Sequence, residues 1–145
     1  MSVSLLDVNV LIALAWPNHV HHHAARRWFE ATSGEGWATT PVTELGFVRV
    51  SSNRKVIPTA ATPGTALEVL RALCDLPGHE FWPDETRLAQ PPFALDRIGS
   101  YKQVTNVHLS ALAAKQRGRL VTFDRGIQNG LHPGDQGLVL VLPVT

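Results

Sequence analysis

Short runs capable of forming buried strands, separated by longer stretches with helical spacing, constrain this chain more than any other feature of its sequence. Val3–Leu6, Trp37–Thr39, His79–Trp82, Arg119–Phe123 and Leu138–Leu142 are the runs. They fit strands buried in a sheet and are too short for helices. Between them, Val8–Ala15 continues apolar directly after Asp7 and predicts a helix, and His19–Ala31 carries Val20, Ala24 and Trp28 at helical spacing. Pro41 stands where a first helical turn tolerates proline, ahead of a helix over Val42–Ser51. Thr62-Pro63 opens a helix with Ala66, Leu70 and Leu73 on one face, and Pro77-Gly78 closes it. Asp84–Ala89 predicts a short helix before a Pro91-Pro92 loop, and Thr105 a cap for a helix running to Gln116 and stopped at Gly118. Strands alternating with helices define an α/β domain: a central parallel sheet flanked by helices, with sites at the carboxyl ends of its strands.

The 145 residues fit one domain over 1–145 with one hydrophobic core. An apolar share of 44% and a charged share of 17% exclude the disordered class. The net charge of +1 carries no overall nucleic-acid signature, yet ten of the thirteen basic residues are Arg, the side chain suited to bidentate phosphate contact. A single cysteine, Cys74, excludes an internal disulfide, points to a reducing compartment and reads as a small buried hydrophobe. The opening MSVSLLDVNVLIALAW is broken by Asp7 and Asn9, lacks the basic start of a signal peptide and is too short to span a bilayer. The expectation is a cytoplasmic protein without a membrane partner.

Asp7 and Asp124 each follow a strand run, and Glu44 falls in an early helical turn. Singly, each has a structural use: Asp7 as a helix cap, Glu44 as a charge at a helix N-terminus worth about 0.3–1 kcal/mol, Asp124 as a turn residue. Together they offer carboxylates at one edge of a sheet. Hard cations such as Mg²⁺ and Mn²⁺ take such oxygen ligands and assist in-line attack on a phosphodiester.

The segments LLDVNVLIALAW, WATTPVTELGFVRVSSN and QVTNVHLSALAAKQRGRLVTFDRG resemble, in order, the successive motifs of PIN domains, specifically VapC-type toxins. HHHAARRWF and the closing LVLVLP extend the likeness over nearly the whole chain. The resemblance implies a Mg²⁺- or Mn²⁺-dependent endoribonuclease acting on a structured RNA of the tRNA or ribosomal RNA class. It also implies a homodimer and a VapB-type antitoxin as partner. Carried over position by position, the metal-binding and catalytic set is Asp7, Glu44, residue 106 and Asp124, supported by Asn9 and Thr122. Residue 106 departs from the pattern: this chain has Thr105-Asn106 where the family usually has Thr-Asp. Asn offers a carbonyl oxygen without charge, so the alternative is a catalytically weakened homologue that binds RNA or antitoxin without efficient cleavage.

Arg49, Arg54 and Arg125 are candidates for gripping RNA phosphates, against a reading as solvated surface charge. His19 and His23 share a spacing that permits chelation, but an exposed first helical turn explains them as well. His108 lies two residues beyond Asn106 and is expected to face away from it. Trp16, Trp28, Trp37 and Trp82 read as core and dimer aromatics. Asp7-Val8-Asn9 also resembles, loosely, the opening of haloacid-dehalogenase-type phosphatases. Those require an Asp at Asn9, a hydroxyl at Leu11 and a downstream lysine in the site, and the sequence offers no match to this set.

Overall fold

The computed structural model describes residues 2–91 and 96–144. Five parallel strands form one sheet: β1 (Ser4–Leu6), β2 (Trp37–Thr39), β3 (His79–Phe81), β4 (Arg119–Thr122) and β5 (Val139–Val141), in spatial order β3-β2-β1-β4-β5. Leu5 pairs with Ala38 on one side and Leu120 on the other, which fixes the register of the three central strands. Alternation then divides the core between two faces. Leu5, Ala38 and Leu120 pack with Val107, Leu109 and Leu112 of helix α5 (Val104–Lys115). Leu6, Trp37 and Val121 pack on the opposite face against α1 (Val8–Ala15), α3 (Pro41–Ser51) and α4 (Pro63–Cys74), through residues such as Leu11, Phe47 and Leu70. The expected central parallel sheet between helical layers is what the chain forms. Among the described residues no helix is long and apolar enough to cross a membrane.

The strand order reverses direction between β1 and β4. The chain runs outward from β1 through β2 to β3, then returns to the other side for β4 and β5. Such a reversal leaves a crevice beyond the carboxyl ends of the two strands where it occurs, the usual ligand position of an open parallel sheet. Asp7 and Asp124 lie beyond those two ends. Close approach of α1 and α3 narrows the same region: a Cβ on Gly46 would come within 2.5 Å of a methyl of Val8, the residue after Asp7.

Four sequence expectations need correction. The second helix is α2 (His22–Thr32), not His19–Ala31. Pro17 follows α1, and the chain passes through turns in which the His19 amide donates to the Trp16 carbonyl and the His22 amide to that of His19. His19 and His23 therefore do not share a helical face. Asp84–Ala89 forms no helix, because the Asp84 carboxylate accepts the Thr86 amide in a local turn and also meets His108 Nε2 at 2.6 Å. The last helix begins at Val104 behind a single 3₁₀ turn (Tyr101–Gln103), so Thr105 lies inside its first turn rather than capping it. The final strand is Val139–Val141, with Leu138 closing a 3₁₀ segment. By contrast, Thr62 does cap α4, accepting the Thr65 amide at 3.1 Å. Of the Pro91-Pro92 loop, Pro92 lies outside the described residues.

Trp37 and Trp82 are core residues, whereas Trp16 and Trp28 are only half-buried. Cys74 is also half-buried, so the expectation of a buried hydrophobe holds only in part. His108 turns to Asp84 and away from Asn106, as its spacing predicts.

Candidate active site

Asp7 follows the first strand directly and is only 6% exposed. A buried carboxylate must be hydrogen-bonded or paired. Its Oδ1 accepts the Val8 amide at 2.7 Å, which caps α1, and its Oδ2 accepts the Thr122 hydroxyl at 2.8 Å. Thr122 is the last residue of β4, so one short hydrogen bond ties together the two strands at the reversal. The same hydroxyl oxygen accepts the Asp124 amide at 3.0 Å and the Asn9 side-chain amide at 3.2 Å. Asn9 Oδ1 in turn accepts the Phe123 amide at 3.2 Å, which orients the Asn9 side chain. Asn9 and Thr122 thus hold the two aspartates in register from beneath.

Asp124 is exposed and stands in a turn of its own: Oδ1 accepts the Gly126 amide at 2.8 Å, and Oδ2 accepts Asn106 Nδ2–H at 3.3 Å. Asn106 sits in the first turn of α5. An aspartate there would set a second anion against Asp124, whereas the amide donates a hydrogen bond instead. Asp7, Asn9, Asn106 and Asp124 line one open cavity of about 400 Å³, with Ile12, Val50, Val56 and Ile57 as its apolar walls and His19 at its rim. Burial pushes the Asp7 carboxyl above its ordinary value. Hydrogen bonds from Thr122 and Val8 oppose that rise, and the nearby Asp124 charge adds to it.

Glu44 does not line this cavity. It lies six residues before Val50 on α3, about 120° around the helix at 3.6 residues per turn. Its Oε2 accepts the Thr39 hydroxyl at 2.7 Å, and it clusters with Cys74 and His79. Of the four positions, Asp7, Asn106 and Asp124 line the cavity together, and the Glu44 carboxylate is turned to Thr39. Arg49, Arg54 and Arg125 are all exposed. Arg49 precedes the wall residue Val50, Arg54 comes two residues before Val56, and Arg125 lines a separate opening with Gln128 and Val141. His19 was legible only as the start of a helix, because nothing in the sequence signals that the turns after Pro17 carry it to the cavity. Burial, followed by the neighbouring His21 and His22, holds the His19 imidazole below its usual value.

The oxygen donors at the strand reversal, and the layered sheet that carries them, define a fold class with a site beyond β1 and β4. The chain belongs to the PIN-domain family, whose model matches residues 4–129. It is 52% identical over 132 residues to Ribonuclease VapC39 of Mycobacterium tuberculosis, covering 90% of this chain and 95% of that protein. It is 50% identical over 125 residues to Ribonuclease VapC38 of the same organism, covering 86% and 87%. Its fold is similar to the crystal structure of VapBC2 from Rickettsia felis bound to a DNA fragment from their promoter. That match has a TM-score of 0.68 at 11% identity and covers 97% of this chain and 99% of that one.

Proposed function

We propose that this chain is a metal-dependent endoribonuclease, the toxin of a type II toxin–antitoxin pair, cutting phosphodiester bonds of a structured RNA. The observation that carries this reading is the placing of Asp7, Asn106 and Asp124 around one cavity at the strand reversal. The donor set is all oxygen when Asn106 presents its carbonyl, which suits Mg²⁺ or Mn²⁺ rather than a thiophilic ion. Fit to a cation is also written in the charges: two carboxylates face one opening, one of them buried, and the side-chain donors they meet among the described residues, Thr122 and Asn106, are neutral. Asp7, Asp124 and the Asn106 carbonyl are the residues that would hold it.

A bound divalent cation supplies neutralisation of charge at the phosphodiester and polarisation of the attacking water. The chain's own residues do the rest. Asp7 and Asp124 orient the reacting centre, each carboxylate oxygen keeping a lone pair beyond the hydrogen bond it already accepts. Thr122 and Asn9 fix those carboxylates from behind. Arg49 and Arg54, close in sequence to residues of the cavity wall, and Arg125, at a separate opening beside Asp124, are the phosphate contacts that position RNA without reading its bases. The RNA belongs to the tRNA or ribosomal class, the antitoxin is VapB-type and the toxin is a cytoplasmic homodimer. The VapC relatives and the sequence resemblance support these assignments.

A second reading rests on the Asn106–Asp124 hydrogen bond: with one anion fewer, the chain binds RNA or antitoxin and cuts poorly. Titrating Mn²⁺ against purified protein and a mixture of tRNA and ribosomal RNA fragments separates the two. The nuclease reading expects cleavage that chelator abolishes. The binding reading expects retained RNA with no cleavage until Asn106→Asp restores the acid.

A further inference from the structure

An RNA phosphate entering the cavity needs hydrogen-bond donors as well as a cation. Two of the cavity's side-chain donors are already engaged, the Asn9 amide with Thr122 Oγ1 and the Asn106 amide with Asp124 Oδ2. His19 differs from both. Its Nδ1 accepts the His21 backbone amide at 3.0 Å, and among the described residues no hydrogen bond engages its Nε2. Resting on the nuclease reading for the substrate, we propose that His19 is a phosphate-binding residue of this site. It donates from Nε2–H to a non-bridging oxygen of the RNA backbone.

The hydrogen bond from His21 decides which chemistry His19 can offer. With the Nδ1 lone pair occupied, the single proton of the neutral ring lies on Nε2. A protonated Nε2 donates to an anion and cannot ligate a cation. Burial, then His21 and His22, holds this imidazole below its ordinary value, so the neutral ring is the form present at neutral pH. A phosphodiester oxygen is a charged acceptor that suits such a donor.

Local structure holds the ring at the cavity. In the turns after Pro17 the His19 amide donates to the Trp16 carbonyl and the His22 amide to the His19 carbonyl, both at 3.0 Å. The His19 and His21 ring centroids are 5.6 Å apart, and His21 in turn lies 5.0 Å from Phe123, the residue before Asp124. These rings tie His19 to the strand end that carries the site. His19 also lines a neighbouring apolar pocket with Trp16, Val20 and Ile57, so it stands on the divide between two openings. An RNA strand leaving the cavity on this side passes over it.

The test uses the full chain with ¹⁵N-labelled histidine, titrated with a hairpin RNA in Ca²⁺, an ion for oxygen-lined sites. Before RNA is added, His19 should show the Nε2–H tautomer, its signals assigned by their loss in His19→Gln. Saturating RNA should then shift the Nε2 resonance. Two amide variants separate phosphate contact from turn structure. Gln presents an N–H where Nε2 stands, whereas Asn presents only an acceptor where Nδ1 stands. RNA affinity should be largely kept in His19→Gln and fall roughly 10-fold or more in His19→Asn, the usual worth of a hydrogen bond to a charged group. A role confined to the turn predicts the opposite order. That opposite order, an Nδ1–H tautomer, or an Nε2 resonance that RNA leaves unmoved would overturn the proposal. Mn²⁺-dependent cleavage by the wild type is scored separately: the expected binding pattern without cleavage supports His19 as an RNA contact and counts against the nuclease reading alone.

Discussion

Asp7 combines two conflicting demands. As the N-cap of α1 it stabilises the fold, and as a buried anion beside Asp124 it costs stability. Because its folded pKa lies above its unfolded one, the folded protein holds the proton more tightly. Metal-free stability therefore falls as pH rises from about 3.9 through the raised value, and that deficit persists at neutral pH. Asn caps a helix as well as Asp. Asp7→Asn should accordingly melt a few degrees higher than the wild type in chelator at neutral pH, with the gap closing as pH falls towards the ordinary Asp value, as thermal melts over that range would read. Asn106→Asp should act in the opposite sense: it replaces the hydrogen bond to Asp124 with repulsion, lowering metal-free Tm. The added ligand charge should tighten Mn²⁺ binding by roughly 10-fold or more, measurable by calorimetry.

Among the elements, strands were more legible than the segments between them. Runs such as Leu5-Leu6 and Leu120-Val121 are apolar on both faces, which only a doubly covered sheet explains. Asp84–Ala89 misled because an Asp at the start of a segment signals either a cap or a local turn, and its partner His108 lies 24 residues away. The histidine turns were illegible for a similar reason: Val20 and Ala24 fit a helical stripe, while Pro17 alone argued against it. Close packing of α1 on α3 was not written in any pattern, only in a glycine with no turn to make. Gly46→Ala drives a Cβ into the stiff side chain of Val8. It should destabilise by about 1–3 kcal/mol, the usual cost of overpacking, in urea unfolding.

At the scale of the whole molecule, the order of motifs pointed to a site beyond β1 and β4, and the strand reversal explains why Asp7 and Asp124 meet. Glu44 was read from its place near a helix start, but the side on which its carboxylate lies depends on helix rotation and on Thr39, neither visible in the sequence. The arginines likewise had no legible orientation. If Arg49 and Arg54 contact RNA phosphates, replacing each with Ala should weaken binding for all RNA sequences and reduce the salt slope by roughly 1 per arginine. The central claim concerns the cation between Asp7 and Asp124. Its most direct test is cleavage of a structured RNA by the purified chain with and without Mn²⁺, beside Asp7→Asn. The account predicts cleavage that needs Mn²⁺ and falls roughly 100-fold or more in Asp7→Asn, on the scale of several kcal/mol of charge stabilisation. Cleavage that persists in chelator, or at the wild-type rate in Asp7→Asn, would contradict it.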